Sequence, residues 1–180
     1  ASSPLVTVVM NCFNGEEYLR EAIESILSQT YENWEIVFWD NQSTDESSKI
    51  FHSYDDPRFN YYYAPQHTLL YEARNYAIER SHGEIITFLD TDDWWLPERL
   101  ERHVPLFADP EVGLSCGNWL NSSARSNKVW KGHTSDKPSG WVFHELLRGY
   151  WVGLTTLSIR KTALDELPYL CNPRFQIIGD

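Results

Sequence analysis

The 180-residue sequence is short of positive charge: 15 Lys and Arg face 26 Asp and Glu, a formal net charge of −11. That deficit disfavours nucleic-acid binding, which rests on clustered Lys and Arg that neutralise phosphates. Cysteine is scarce too. Cys12, Cys116 and Cys171 are an odd number at unrelated spacings, which gives neither a disulfide framework nor a zinc pattern and suits a reducing cytoplasm. No apolar run approaches the roughly 18–20 residues that span a bilayer, and Ala1-Ser2-Ser3-Pro4 lacks the charged and apolar regions of a signal peptide. The six histidines show no H-x-x-x-H or H-x-E spacing, so a histidine metal site has little support. Two glycine-loop signatures are missing as well, G-x-x-x-x-G-K-[ST] and a G-x-G-x-x-G after the first apolar run, which disfavours a glycine cradle for phosphate. The first residue is not Met and the chain stops at Asp180 after an apolar run, so a trimmed segment of a longer protein is expected.

What is present is enough to build a core. Apolar residues make up 42% of the chain, with 8 Trp, 10 Tyr and 8 Phe, and one domain is the default at this length. Short β-branched and aromatic runs alternate with segments of helical period, the pattern of βαβ units and a mainly parallel sheet. Strands are expected at Leu5–Met10, Glu35–Trp39, Phe59–Tyr63, Glu84–Leu89 and Leu154–Ile159. Helices are expected from about Glu16 to Gln29, with Leu19, Ala22, Ile23, Ile26 and Leu27 on one stripe, at Leu69–Ser81, after Pro97 and at Val142–Gly149. Asn14 with Glu17 resembles a capping box, and Ser43 or Thr44 can cap a short helix whose first turn holds Asp45 and Glu46. The pattern loosens over Val112–Leu120 and the polar stretch Asn121–Lys128.

In an open α/β sheet, ligands bind outside the carboxyl ends of the strands. The residues that follow the apolar runs are polar: Asn11, Asp40 and the run Asp90-Thr91-Asp92-Asp93. Alone, Asn11 or Asp40 reads equally well as a turn or cap residue. Three carboxylates within four residues repel one another unless a cation or solvent intervenes. In extended backbone, Asp90 and Asp92 share a side and Asp93 faces the other. Hard carboxylate oxygens select Mg²⁺ or Mn²⁺, which accept phosphate oxygens as remaining ligands; a solvated acidic turn is the alternative. Leu70, Arg74 and Ile78 are spaced by four, which puts Arg74 on the apolar stripe, where it needs an anion. A structural carboxylate and a bound diphosphate both satisfy that need.

Several strings together carry a resemblance. Val8-Val9-Met10-Asn11-Cys12-Phe13-Asn14, Ser25-Ile26-Leu27-Ser28-Gln29-Thr30-Tyr31, Glu35-Ile36-Val37 and Asp40-Asn41-Gln42-Ser43-Thr44-Asp45 look like family-two inverting glycosyltransferases of the GT-A fold. Ala73-Arg74-Asn75 with Ala77, Gly83-Glu84 and Phe88-Leu89-Asp90-Thr91-Asp92-Asp93 followed by Pro97 continue it in the same order. The resemblance covers residues 5–108 strongly and the rest weakly. It implies an α/β, Rossmann-like GT-A fold with a mainly parallel central sheet flanked by helices and a smaller, mixed C-terminal portion. Residues 1–180 are then one domain, with 5–108 the nucleotide-sugar half and 109–180 an acceptor half that is incomplete at its C-terminus.

The same resemblance implies roles. Asn11 and Phe13 line the nucleotide pocket, Asp40 contacts the base or ribose, and Arg74 lies near the diphosphate. Asp90, Asp92 and Asp93 form the metal cluster for Mn²⁺ or Mg²⁺, with Asp92 the direct ligand. Asp180 is the general base, although Gly179 stands where the family usually has an acid, and Asn41 stands where Asp is commoner. Trp95 and Trp151 are candidate stacking platforms for sugar or acceptor rings. The implied reaction moves a sugar, with inversion, from a nucleotide-diphosphate donor, UDP favoured, to a hydroxyl of a carbohydrate or lipid-linked acceptor. Such a chain works in the cytoplasm, and attachment at the inner face of a membrane is compatible with it. Two other classes stay open: a non-catalytic nucleotide-sugar-binding or interaction module of a larger synthase, and a sugar nucleotidyltransferase. The second would normally show a glycine-rich basic loop where this chain has Asn11-Cys12-Phe13-Asn14-Gly15-Glu16.

Overall fold

The computed structural model describes residues 3–123, 128–168 and 171–172. Strands β1 (Val6–Cys12), β2 (Trp34–Asp40), β3 (Phe59–Tyr63) and β4 (Ile85–Phe88) run parallel, and β5 (Leu114–Ser115) and β8 (Ser158–Arg160) complete a six-stranded sheet ordered β3-β2-β1-β4-β8-β5. β8 is antiparallel to both its neighbours. A separate hairpin pairs β6 (Leu120–Ser123) with β7 (Lys128–Lys131). Helices α1 (Leu19–Leu27), α2 (Ser47–His52), α3 (Leu70–Glu79), α4 (Arg99–His103), α5 (Phe143–Arg148) and α6 (Lys161–Asp165) follow in chain order.

Period-2 alternation sends each central strand into two cores. Val6, Val8, Met10 and Cys12 of β1 join Ile36 and Phe38 of β2 against Leu19, Ala22, Ile23 and Ile26 of α1. Val9, Val37, Trp39, Ile86 and Phe88 face the other way, onto Ala73 and Ala77 of α3. Sheet centre strands buried on both faces need near-continuous apolar sequence, which is why these runs were legible. Gly83 sits where the chain enters β4, and a Cβ there would lie 2.6 Å from the Thr7 backbone nitrogen.

Three expectations change. α1 starts at Leu19 without a side-chain cap, because Asn14 adopts φ 55° and turns its Oδ1 to the Thr44 N–H at 2.8 Å. α2 starts at Ser47, where Asp45 rather than Ser43 or Thr44 accepts a helical N–H, that of Ser47 at 3.0 Å. The expected strand Leu154–Ile159 is a 3₁₀ turn, Leu154–Thr156, followed by the shorter β8. The loosely patterned stretch beyond Pro110 resolves into β5 and the β6–β7 hairpin.

Candidate functional site

β1 has β2 on one side and β4 on the other, so the chain's direction of travel across the sheet reverses at β1, and a crevice opens beyond the carboxyl ends of these strands. Two loops close one wall of it. The Asn14 N–H donates to Ser43 Oγ (3.0 Å), the Gly15 N–H to Ser47 Oγ (3.0 Å) and the Glu16 N–H to Asp45 Oδ2 (2.9 Å). The return bond runs from the Glu46 N–H to Glu16 Oε2 at 2.8 Å. Left-handed backbone at Asn14 and Gln42 aims these donors across the gap. The opposite wall is the turn after β4, closed by the Asp93 N–H on the Asp90 carbonyl. Gly15 brings the two walls together: a Cβ there would meet Thr91 Oγ1 at 2.7 Å.

Asn11, the penultimate residue of β1, has its Nδ2 buried and without an acceptor among the described residues. Its register neighbour on β2 is Trp39, whose buried Nε1 also lacks an acceptor. In-register residues on parallel strands point to the same face, so two unsatisfied donors share the α3 side of the strand ends. Phe13 is half-exposed, its ring 4.4 Å from that of His67. Asp40 is fully buried: Oδ1 accepts the Ser43 N–H at 2.7 Å and Oδ2 accepts the Tyr61 hydroxyl. Burial, and then the hydrogen bond to Asp40, push the Tyr61 phenol up to about 12, so it stays a donor at physiological pH. With both oxygens engaged within the fold, Asp40 supports the loop. Asn41 is buried as well, its Oδ1 accepting the Thr68 N–H at 3.1 Å and its Nδ2 donating to the Thr68 carbonyl at 2.7 Å.

Arg74 is buried on α3 and finds its anion in Asp90, with Nη2 2.9 Å from Oδ1. The structural carboxylate therefore meets the need that its spacing raised. Because residues 90–93 form a turn, the alternation expected of extended backbone does not apply to Asp90, Asp92 and Asp93. Asp92 is exposed and hydrogen-bonds to none of the described residues. It lies near the start of α1, where its charge adds to the raised pKa of the Tyr18 phenol, set first by the hydrogen bond to Glu17. No group of three or more His, Cys, Asp or Glu side chains that could hold a metal occurs among the described residues. Mg²⁺ and Mn²⁺ commonly take one or two carboxylates and complete their shell with water and phosphate oxygens. Asp92 beside Asp93 fits that smaller donor set.

Trp95 does not fit a stacking platform. It is 6% exposed, its Nε1 donates to the Thr155 carbonyl at 3.0 Å, and the Arg99 guanidinium lies 3.9 Å over its ring. Trp151 is partly exposed, and its carbonyl is 2.7 Å from His133 Nε2. Asp180 and Gly179 lie outside the described residues. Sequence reasoning missed Trp39 and Arg99. Arg99 Nη2 donates to Thr87 Oγ1 at 2.7 Å and to the Thr155 and Leu157 carbonyls, both at 3.2 Å, with no carboxylate partner among the described residues. Burial pulls its guanidinium down to about 9, which leaves it protonated at neutral pH. Only the strand-terminal position of Trp39 could have flagged it, and nothing local flags Arg99.

The family description "Glycosyl transferase family 2" matches residues 7–167. An uncharacterized glycosyltransferase of Haemophilus influenzae is 29% identical over 92% of this chain and 66% of its own length. The UDP-Glc:alpha-D-GlcNAc-diphosphoundecaprenol beta-1,3-glucosyltransferase WfgD of Escherichia coli is 26% identical over 92% of this chain and 64% of its own. The chain thus spans just under two thirds of the length of these curated relatives. Among solved structures, the mannosyltransferase PcManGT of Pyrobaculum calidifontis, in complex with GDP-Man and Mn²⁺, has a TM-score of 0.69. It is 22% identical, over 94% of this chain and 48% of that one, a likeness that shows the mainly parallel, helix-flanked GT-A fold. Because the family match takes in all but the first residue of the six-stranded sheet, and most of the chain, the chain belongs to glycosyl transferase family 2.

Proposed function

We propose that the crevice binds a nucleotide-diphosphate sugar, UDP favoured, and that the chain carries the donor side of an inverting transfer to an acceptor hydroxyl. The observation that carries this reading is the pair of buried donors without an acceptor among the described residues, Asn11 Nδ2 and Trp39 Nε1, near the carboxyl ends of β1 and β2, together with the exposed carboxylate of Asp92 in the turn after β4. Unmet buried donors are costly, and acceptors on a base or ribose would satisfy them. Phe13 offers a half-exposed ring on the same wall. Asp40 holds the wall in place through Ser43 and Tyr61, and Asp90 orients Arg74 toward the diphosphate end. A bound Mn²⁺ or Mg²⁺, held by Asp92 and Asp93, would supply Lewis-acid stabilisation of the diphosphate charge.

In the transfer, the acceptor oxygen forms a bond to the anomeric carbon as the bond from that carbon to the diphosphate breaks. The leaving nucleotide diphosphate keeps the electron pair, and Arg74 adds positive charge nearby. Asp180 takes the hydroxyl proton as general base. Residues 109–180 are the acceptor half, with Trp151 its candidate platform. The UDP preference draws on the UDP-Glc named for the Escherichia coli relative. Calorimetric titration of UDP, GDP and dTDP, with and without Mn²⁺, tests the reading on wild type and Asp92→Ala. Metal-dependent UDP binding, lost in the variant, is the expected result. A folded protein that binds none of the three would make the aspartates structural and favour an interaction module.

A further inference from the structure

One stretch of the acidic chain is net positive. Residues 119–150 carry five Lys or Arg against two Asp or Glu, a net charge of +3 where the rest of the sequence carries −14. The same stretch exposes its apolar side chains. Helix α5 buries none of its residues, although Phe143, Leu146, Leu147 and Tyr150 follow the i, i+3, i+4, i+7 spacing of a single apolar stripe. Trp141, just before it, is 93% exposed, and Leu147 71%. On the hairpin, Val129 and Trp130 are exposed between exposed Lys128 and Lys131. A run of exposed apolar side chains of this size marks an interaction surface rather than scatter.

We propose that the exposed apolar and basic side chains of residues 128–131 and 141–150 form a docking surface for an anionic lipid bilayer. Tryptophan, with an apolar body and one polar N–H, suits the headgroup level, and an amphipathic helix with basic neighbours lies in that plane. Charge selects this occupant. A second copy of the chain seated on the same surface would set net positive charge against net positive charge, whereas an anionic leaflet attracts it and repels the acidic remainder. That separation also fixes orientation. The hairpin is anchored by Asn118 Nδ2 on the His133 carbonyl (2.8 Å) and by His133 Nε2, 2.7 Å from the Trp151 carbonyl. From Trp151 the chain runs to Thr155, which Trp95 and Arg99 hold beside the Asp90–Asp93 turn. The hairpin is therefore hydrogen-bonded to the segment that leads to Thr155.

Sedimentation with vesicles of phosphatidylcholine, with or without phosphatidylglycerol, tests the proposal on the 180-residue chain. Binding is expected to the phosphatidylglycerol vesicles and to fall with added salt. The double variant Lys128→Ala/Lys131→Ala should lower the partition coefficient by about 25-fold, fivefold per basic residue. Trp141→Ser/Phe143→Ser should lower it as well, and Lys49→Ala, on exposed α2, should not. Equal binding to both vesicle types, or none by the folded chain, overturns the proposal, as does a concentration-dependent dimer abolished by Trp141→Ser. The outcome is independent of the UDP titration, so the donor reading and the lipid surface fail separately.

Discussion

Asn11 Nδ2 is a donor cut off from water with no acceptor among the described residues, and its replacement separates a structural role from a ligand-binding one. Leu has nearly the shape of Asn and no polar atom. Because the donor is unmet in the free protein, Asn11→Leu should leave stability unchanged or raise it by up to about 1 kcal/mol, whereas a structural role for the amide would make the variant less stable. If the amide meets a nucleotide, the same variant loses a buried hydrogen bond in the complex, and UDP affinity should fall about tenfold. Both results together, from urea unfolding and calorimetry on one protein sample, are expected; unchanged affinity would remove Asn11 from the site. The residue was legible in the sequence as a polar group directly after an apolar run. Its partner Trp39 was not, because a tryptophan inside such a run looks like core, and its unmet N–H shows only in three dimensions.

Among elements, the end of α1 and the start of α4 depend on one glutamine. Gln29 Nε2 donates to the Ser25 and Leu96 carbonyls at 3.0 and 2.9 Å, and its Oε1 accepts the Leu100 N–H at 3.0 Å. The Thr30 N–H reaches the Pro97 carbonyl at 3.0 Å beside it. Two segments that the family resemblance singled out separately, 25–31 and the proline after the aspartates, are thus one joint in the fold. Gln29→Leu keeps the volume but strands the Leu100 N–H, while the Ser25 carbonyl keeps the Ser28 hydroxyl and the Leu96 carbonyl the Arg99 N–H, and should cost about 1–3 kcal/mol in urea unfolding. A cost under about 0.5 kcal/mol would mean that water replaces the amide there. Local pattern found α1 and the central strands because each buries an unbroken apolar face, and α3 although Arg74 sits between Ala73 and Ala77 on its buried face. It failed at Leu154–Ile159, where the carbonyls that a strand would use in a ladder go elsewhere. Thr155 accepts from Trp95 and Arg99, and Leu157 from Thr87 and Arg99, side chains 56–70 residues away in sequence. A short window cannot contain such partners, and the same holds for the Asn14–Thr44 bond that displaced the capping box.

For the molecule as a whole, the far edge of the sheet makes stability depend on pH in a window of its own. His103 on α4 sits with Nδ1 2.8 Å from Ser115 Oγ of β5. Burial, and then the charge of Arg99, lower its pKa from 6.5 to about 4. The folded protein therefore keeps this imidazole neutral where the unfolded chain protonates it. The stabilisation is complete above pH 6.5, falls as acid protonates the unfolded state preferentially, and is gone by about pH 4. Between pH 7 and 5 the expected loss is about 2 kcal/mol. The carboxylates that fold with lowered pKa act lower down. In Asp45, hydrogen bonds from Ser47 and the Glu16 and Ser47 amides outweigh burial, and Asp56 is held down by Arg58; both start from 3.8. Their stabilisation is present above that value and lost only in stronger acid, so the histidine window is clear of them. Urea unfolding of wild type and His103→Asn at pH 7, 6 and 5 reads the difference directly: the gap between them should be largest at pH 7 and close by about 2 kcal/mol at pH 5. A gap that stays constant would mean that His103 titrates alike in both states, and that its contact with Ser115 survives protonation.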